Sequence, residues 1–525
     1  MGSGQVLLIG LDAAEIGLIQ QWSQEGCLPH LKALLEEGCW GRLTSTAEML
    51  SGSVWPSLFT GTLPGKHGRY YPLKPQPGQQ GVADFSVDCE QLPLWKFLAA
   101  AGARCVIMDV PFSPLLPGLS GLQIIDWGTY DKSGRSRSTP SGMYHELVKR
   151  WGHHPLERTI KEPLCARDYQ HLLQKLLKGA SLKGNVVTQL LTSEPWEFCF
   201  VVFGETHPAG HYYWHLGQEP SSTNRADRGS TGLKQIYMAV DRAIGRILAS
   251  IHRNTTVMVI SGHGMGPNLL GYHLLPELLR CLGLLAIRDA KNATGQLSIA
   301  RDWLKRARDL VPIHFRKWVS HHLSPEIRHH LSSRWASADI DWRNTRVFPL
   351  PTDLQGYLRI NLKGREPQGI VEPGREYEEL CDRIREALTT LVHPSDGRPV
   401  VRQIIQTDAI FPGPYRDHLP DLIVLWDESR PITEAFSPAI GLLSERSPDL
   451  RSGNHKSSGF FIISGPQIRA RQLTKEVHIC DIAPTVLALF GLATPGHMDG
   501  KTFIDNGIAL AAEERMTPFS VSTFS

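Results

Sequence analysis

The chain has 525 residues, enough for one large α/β domain with insertions or for two to three smaller ones. Hydrophobic residues make up 41% and charged residues 20%, ordinary for a protein that buries a core. Lys and Arg number 55 against 52 Asp and Glu, a balance of +3, so no global field marks a nucleic-acid polymer or a membrane surface as a partner.

Nine cysteines lie scattered from Cys27 to Cys480 without Cys-x-x-Cys pairs, which predicts reduced thiols and a cytoplasmic protein. No apolar run approaches the ~18–20 residues of a membrane span. The run Val6–Leu11 is also too short for the core of a targeting segment and ends at Asp12.

In chain order, that same Val6–Leu11 run has the continuous apolar character of a strand buried on both faces of a parallel sheet. Asp12 then falls at the strand's carboxyl end, where open α/β sheets place their ligands. A helical pattern follows over Ile16–Glu37. Further strands are predicted at Cys105–Val110, Phe198–Phe203, Val257–Ile260, Leu422–Trp426 and Phe460–Ile463, with helices at Leu94–Ala101, Leu233–His252 and Glu376–Leu391 between them. Alternation of this kind predicts a three-layer α/β/α sandwich around a mostly parallel central sheet.

Two stretches interrupt the pattern. Residues about 132–192 read as a helical insertion. Residues 274–345 are helical, basic and rich in His and Trp, as in Arg316-Lys317-Trp318 and His321-His322, and read as a helical cap insertion. The expected organisation is a catalytic core over 1–273, the cap over 274–345, a second part of the core over 346–506 and a poorly ordered polar tail over 507–525.

The candidate chemistry sits at strand ends. Asp12 closes the first strand. Ser51, in Leu50-Ser51-Gly52-Ser53, stands among small residues at the start of a short helix, where a hydroxyl can meet a bulky phosphoryl group. Glu205-Thr206-His207-Pro208-Ala209-Gly210-His211 closes another strand with two imidazoles four residues apart. Ser261-Gly262-His263-Gly264 closes a third, and Asn454-His455 precedes the Phe460–Ile463 strand. One such His is usually a hydrogen-bonded structural residue. Several at strand ends, beside glycines and a carboxylate, suit zinc or a similar divalent ion.

With these segments the chain resembles the alkaline phosphatase superfamily, nearest its type I phosphodiesterase/nucleotide pyrophosphatase branch. The matching stretches are Gly10-Leu11-Asp12, Leu50–Ser57 with Thr60-Gly61 and Pro64–Gly68, Glu205–His211, Ser261–Pro267, Asn454–Pro466, and Asp481–Thr485 with Met498–Gly500. The resemblance implies two divalent metals, usually zinc, beside a Ser or Thr nucleophile. It assigns that role to Ser51. Asp12, Ser51 and His263 would hold one ion, and His207, His211 and His455 the other.

Two departures stand out. Gly262 occupies a position where the family carries Asp, and so does His207. The first site therefore loses a ligand, while the second becomes a three-imidazole set, so one tightly bound ion is expected, with the other position binding weakly or not at all. Glu205 is a candidate replacement ligand or general base, and Lys66 a candidate pocket residue.

The expected activity is metal-dependent hydrolysis of a phosphoester or phosphoanhydride, a phosphodiester or nucleotide-like pyrophosphate, through a metal-bound Ser51. Three alternatives stand beside it: a phosphotransferase or phosphomutase, a single-metal three-His enzyme with different bond-cleaving chemistry, and a non-catalytic protein that binds a phosphorylated ligand. The expected partner is a small phosphorylated molecule.

Overall fold

The computed structural model describes residues 4–71, 73–76, 78–84, 91–130, 136–156, 163, 165–214, 226–288, 340–352, 354–445, 451–505 and 509–510. The first strand, β1 (Val6–Leu11), is followed by α1 (Ile16–Gln24), α2 (Pro29–Glu37) and β2 (Cys39–Thr44). A 3-10 turn, Ser51–Ser53, leads into α3 (Val54–Thr60) and α4 (Pro64–His67), and then a small hairpin, β3 (Leu73–Lys74) with β4 (Ala83–Asp84). After α5 (Leu94–Ala100) come β5 (Cys105–Met108), β6 (Gly121–Ile125) and β7 (Arg137–Thr139). The chain continues through α6 (Met143–Trp151), α7 (Ala166–Ser193), β8 (Phe198–Phe203), α8 (Thr206–Tyr213), α9 (Ala226–Ser250), β9 (Thr256–Ser261), β10 (Gly264–Pro267) and α10 (Leu275–Cys281).

β1 lies in the middle of the main sheet, parallel to β8 on one side and to β9 on the other. β5 continues the parallel run beside β8, and β6 beside β5. Burial on both faces explains the unbroken apolar runs. Along β1, Leu7, Ile9 and Leu11 face one hydrophobic cluster while Val6 and Leu8 face another. The same two-residue alternation runs along β8 and β9. One face is covered by α1, α2, α7 and α9, the other by α3, α5 and the helix Ile482–Leu489. The molecule is thus an α/β/α sandwich with a mostly parallel central sheet. Among the described residues no helix is long and apolar enough to cross a membrane.

The stretch 132–192, expected as a helical insertion, contains α7, one of the helices that cover the sheet. Leu172, Leu176, Ala180, Val187 and Leu191 of α7 recur at helical spacing and join the core over β1 and β8. The wholly buried Lys183 of α7 donates to Val202 O at 2.7 Å and Gly128 O at 3.1 Å, and pairs with Asp109 Oδ2 at 3.0 Å. Asp109 in turn accepts the Trp127 and Gly128 N–H groups, both at 2.9 Å. The pair therefore ties α7 and β8 to the loop after β6.

The stretch 346–506, expected as one second part of the core, divides in two. Its first portion builds a separate antiparallel sheet from β11 (Val347–Pro349), β12 (Gly356–Ile360), β13 (Val401–Gln406) and β14 (Leu422–Trp426), in the order β11-β12-β14-β13. The helix Arg375–Thr389 covers it with Tyr377, Leu380, Cys381, Ile384 and Leu388. Leu422–Trp426 therefore belongs to this unit and not to the central sheet. A hairpin follows, β15 (Glu434–Ser437) with β16 (Gly441–Ser444).

The chain then re-enters the main fold through β17 (Gly453–Lys456), which pairs with β10, and β18 (Gly459–Ser464), which lies between β9 and β2. Two short strands, β19 (Arg471–Gln472) and β20 (Val477–His478), finish the edge beside β2. Most of the expected cap, including Arg316–Trp318 and His321-His322, and most of the expected tail lie outside the described residues.

Replacing Lys183 with Met keeps most of the side-chain volume but leaves Asp109 buried without its cation. Loss of one partner of a buried pair costs about 3–5 kcal/mol, so Lys183→Met should lower the urea midpoint accordingly. An unchanged midpoint would show that the pair is not what anchors the loop.

Candidate metal centre

The site forms at the carboxyl ends of β1, β8 and β9. The Asp12 N–H donates to Phe203 O at 3.0 Å, which extends the β1–β8 pairing by one residue and holds the carboxylate at the sheet's rim. From the other face Trp55 of α3 crosses β1 and donates its indole N–H to Asp12 Oδ1 at 2.9 Å. Gly10 makes that crossing possible, because a Cβ there would lie 2.6 Å from the Trp55 ring. Ser51, buried, stands one helical turn before Trp55, in the 3-10 turn that opens into α3.

α8 carries His207 and His211, whose four-residue spacing places them on one helix face. His207 Nδ1 donates to Asp12 Oδ2 at 2.8 Å, and His211 Nδ1 donates to Gly453 O at 2.9 Å. Both assignments follow from the acceptor character of the partners. Each ring then turns its Nε2 inward, and the two Nε2 atoms lie 3.0 Å apart. The β10–β17 ribbon delivers His455, whose Nε2 lies 2.8 Å from that of His207.

Three imidazole nitrogens aimed at one another repel unless a cation or proton stands among them. Burial first, and then Arg451 and His207, holds His211 well below the usual imidazole range. Burial first, and then His263, His207 and His211, does the same to His455. Neutral imidazoles are the ligand form. A tetrahedral ion with bonds of about 2.0–2.1 Å sets its donors about 3.3 Å apart, near the 3.0 and 2.8 Å that separate His207 Nε2 from those of His211 and His455. Among the described residues His207, His211 and His455 are the group able to hold a metal ion, and their donor set fits one. Burial alone would raise the Asp12 carboxyl, but His207, His263 and Trp55 together hold it below the ordinary range, so it is ionised. The carboxylate–imidazole contact fixes the orientation of His207 and raises its basicity toward an ion.

His263 lies flat against His455, with ring centroids 4.4 Å apart and an interplanar angle of 24°. The Ser261 hydroxyl, which accepts from the Ala14 N–H and donates to His263 O, locks this loop to the end of β1. The structure thus brings Asp12, His207, His211, His263 and His455 together, with Ser51 at the head of the helix that braces Asp12.

Two other candidates are held elsewhere. Glu205, fully buried, has Oε1 3.0 Å from His154 Nε2 and lies beside Gly179 of α7, so its carboxylate serves an internal pair and not the imidazole centre. Lys66 donates to Asp499 Oδ1 at 2.6 Å and to His497 O at 2.9 Å, fastening the turn near the end of the chain. Conversely, Tyr130 was not among the expected site residues, and its ring centroid lies 4.6 Å from that of His207. It follows β6, whose short Gly121–Ile125 run is preceded by a Pro- and Gly-rich loop, so only the placement of this strand would have drawn attention to the tyrosine.

The sequence profile described as type I phosphodiesterase/nucleotide pyrophosphatase matches residues 6–457. No curated protein matches the chain. Among solved structures the fold is similar to phosphonoacetate hydrolase from Sinorhizobium meliloti 1021 in complex with phosphonoformate, at a TM-score of 0.51 and 12% identity over 94% of this chain and 96% of that one. Also similar are murine ectonucleotide pyrophosphatase/phosphodiesterase 5, as an inactive variant in complex with AMP (TM-score 0.47, 12% identity, 94% and 96% covered), and its human counterpart (TM-score 0.48, 13% identity, 97% and 100% covered). The chain belongs to the type I phosphodiesterase/nucleotide pyrophosphatase family, phosphoric ester hydrolases of the alkaline phosphatase superfamily.

Proposed function

We propose that the protein hydrolyses a small phosphodiester or nucleotide-like pyrophosphate, with Ser51 as the attacking hydroxyl and zinc held by His207, His211 and His455. The observation that carries this reading is the convergence of the His207, His211 and His455 imidazoles at the end of the strand that the Ser51 helix braces through Trp55 and Asp12. When bound, the ion supplies positive charge for the phosphoryl oxygens and lowers the pKa of an oxygen nucleophile.

The chain's own residues then have distinct tasks. Asp12 holds His207 by Nδ1, and the Gly453 carbonyl holds His211 by Nδ1, so both rings are aligned before substrate arrives. Trp55 keeps Asp12 from swinging away. His455 lines a cleft with Pro267, Leu269, Leu270, Glu428, Asn454 and Lys456, so one of the three imidazoles borders open space. Ser51 Oγ would attack phosphorus and expel the leaving oxygen, giving a phosphoseryl ester that water then cleaves. Positioning and charge supply most of the rate in such transfers.

Ser51→Ala should lower kcat by at least about 10³-fold on a diester panel while leaving metal content unchanged. Full activity in that variant would exclude the seryl route. Acceleration of turnover by added alcohols or nucleosides, with product transferred to them, would instead identify a phosphotransferase.

Asp12→Asn preserves shape but weakens the contact to His207. It should reduce metal affinity about 10–100-fold in competition with a chromophoric chelator. Equal affinity in wild type and variant would show that His207 needs no carboxylate to bind.

A further inference from the structure

The surroundings of the three-imidazole centre differ on its two sides. On the side facing α8 and β17, the three Nε2 atoms converge. On the side facing α3, the space a side chain at position 262 would enter is taken by hydrocarbon of Val54 and Ile479. We infer that the protein holds a single divalent ion and that Val54 is the residue that closes the neighbouring position, where the family resemblance leads one to expect a second. This rests on the three-imidazole centre proposed above.

Three observations support it. First, a Cβ added to Gly262 would lie 2.1 Å from Val54 Cγ1 and 3.3 Å from Ile479 Cδ1. No carboxylate can project from position 262 while Val54 stays where it is. Val54 is fully buried at the first turn of α3, and a β-branched side chain in a helix has one strongly preferred rotamer, so it cannot swing aside. The glycine and the valine are therefore two halves of one fit.

Second, both oxygens of Asp12 face hydrogen-bond donors, Oδ1 toward the Trp55 indole N–H and Oδ2 toward His207 Nδ1. Each oxygen keeps a second lone pair, but this carboxylate is already shared between two donors, so without a second carboxylate at position 262 the neighbouring position has one partly engaged anion to hold a cation.

Third, charge does not balance for two ions. Of the carboxylates around the centre, Glu205 is committed to His154, and Glu15 accepts the Gly17 N–H through Oε1 and the Met265 N–H through Oε2. Among the described residues Asp12 is the carboxylate paired with one of the three imidazoles. Two divalent ions would leave most of their charge uncompensated in a buried site, whereas one ion leaves a modest excess that an anionic phosphoryl group matches.

The test is a count of bound ions in the full-length protein, stripped with chelator, reloaded with Zn²⁺ or Co²⁺ and measured by elemental mass spectrometry. Circular dichroism and a thermal melt of each variant report folding. Wild type should hold one ion per chain, and Gly262→Asp should hold no more than one and melt at lower temperature. Val54→Ala/Gly262→Asp removes the Cγ1 atom that clashes and leaves the Val54 Cβ 3.7 Å from the new Cβ. It should rise to two ions per chain, with a changed Co²⁺ absorption spectrum. Two ions in wild type or in Gly262→Asp alone would overturn the inference while leaving the three-imidazole centre standing. A folded double variant that still holds one ion would overturn the role given to Val54. Wild type that takes up no ion would remove the centre itself, and this inference with it.

Discussion

The contact between Asp12 and His207 is the interaction on which the site depends. It joins the end of the central strand to the first turn of α8, and it settles which nitrogen of His207 faces inward. Once that ring is set, the other two imidazoles need only be brought within reach, one by helical spacing and one by the β10–β17 ribbon. The carboxylate can stay ionised in a buried place because its neighbours supply donors and positive charge. Remove it and the inward nitrogen of His207 is no longer specified.

The scaffold around this contact is layered so that each face of the sheet contributes something different. The face under α7 and α9 provides bulk, with the Lys183–Asp109 pair as a buried charge contact to the loop that carries Tyr130. The opposite face provides α3, and α3 provides three adjacent functions in five residues. Ser51 heads the turn that opens it, Val54 packs on Gly262, and Trp55 reaches Asp12. A shift of this short helix would therefore disturb Ser51, the packing on Gly262 and the Asp12 carboxylate together.

Much of this was legible in the residues alone, and the exceptions have physical reasons. Continuous apolar runs identified β1, β8 and β9, because strands covered on both faces have no polar side to show. The same property misplaced Leu422–Trp426, since a run buried on both sides says nothing about which sheet it joins. The long α7 looked like an insertion because a helix pattern carries no record of what it covers. The His207/His211 spacing was readable as one helix face. The closure of position 262 by Val54 was not, because it is a contact between segments two hundred residues apart whose types are individually unremarked. Glu205 looked available by its position at a strand end, yet its side chain turns to His154, a partner that no local spacing reveals.

The position of His455 has a consequence for how the molecule comes into being. Its ring meets that of His207 across 248 residues of chain, after the whole antiparallel unit has intervened. During synthesis, the helix bearing His207 and His211 leaves the ribosome long before the ribbon strand that completes the set. A nascent or truncated polypeptide ending before that strand lacks one of the three nitrogens that could together hold an ion. Completion of the set thereby becomes a late event, one that requires the two distant halves of the sandwich to be joined.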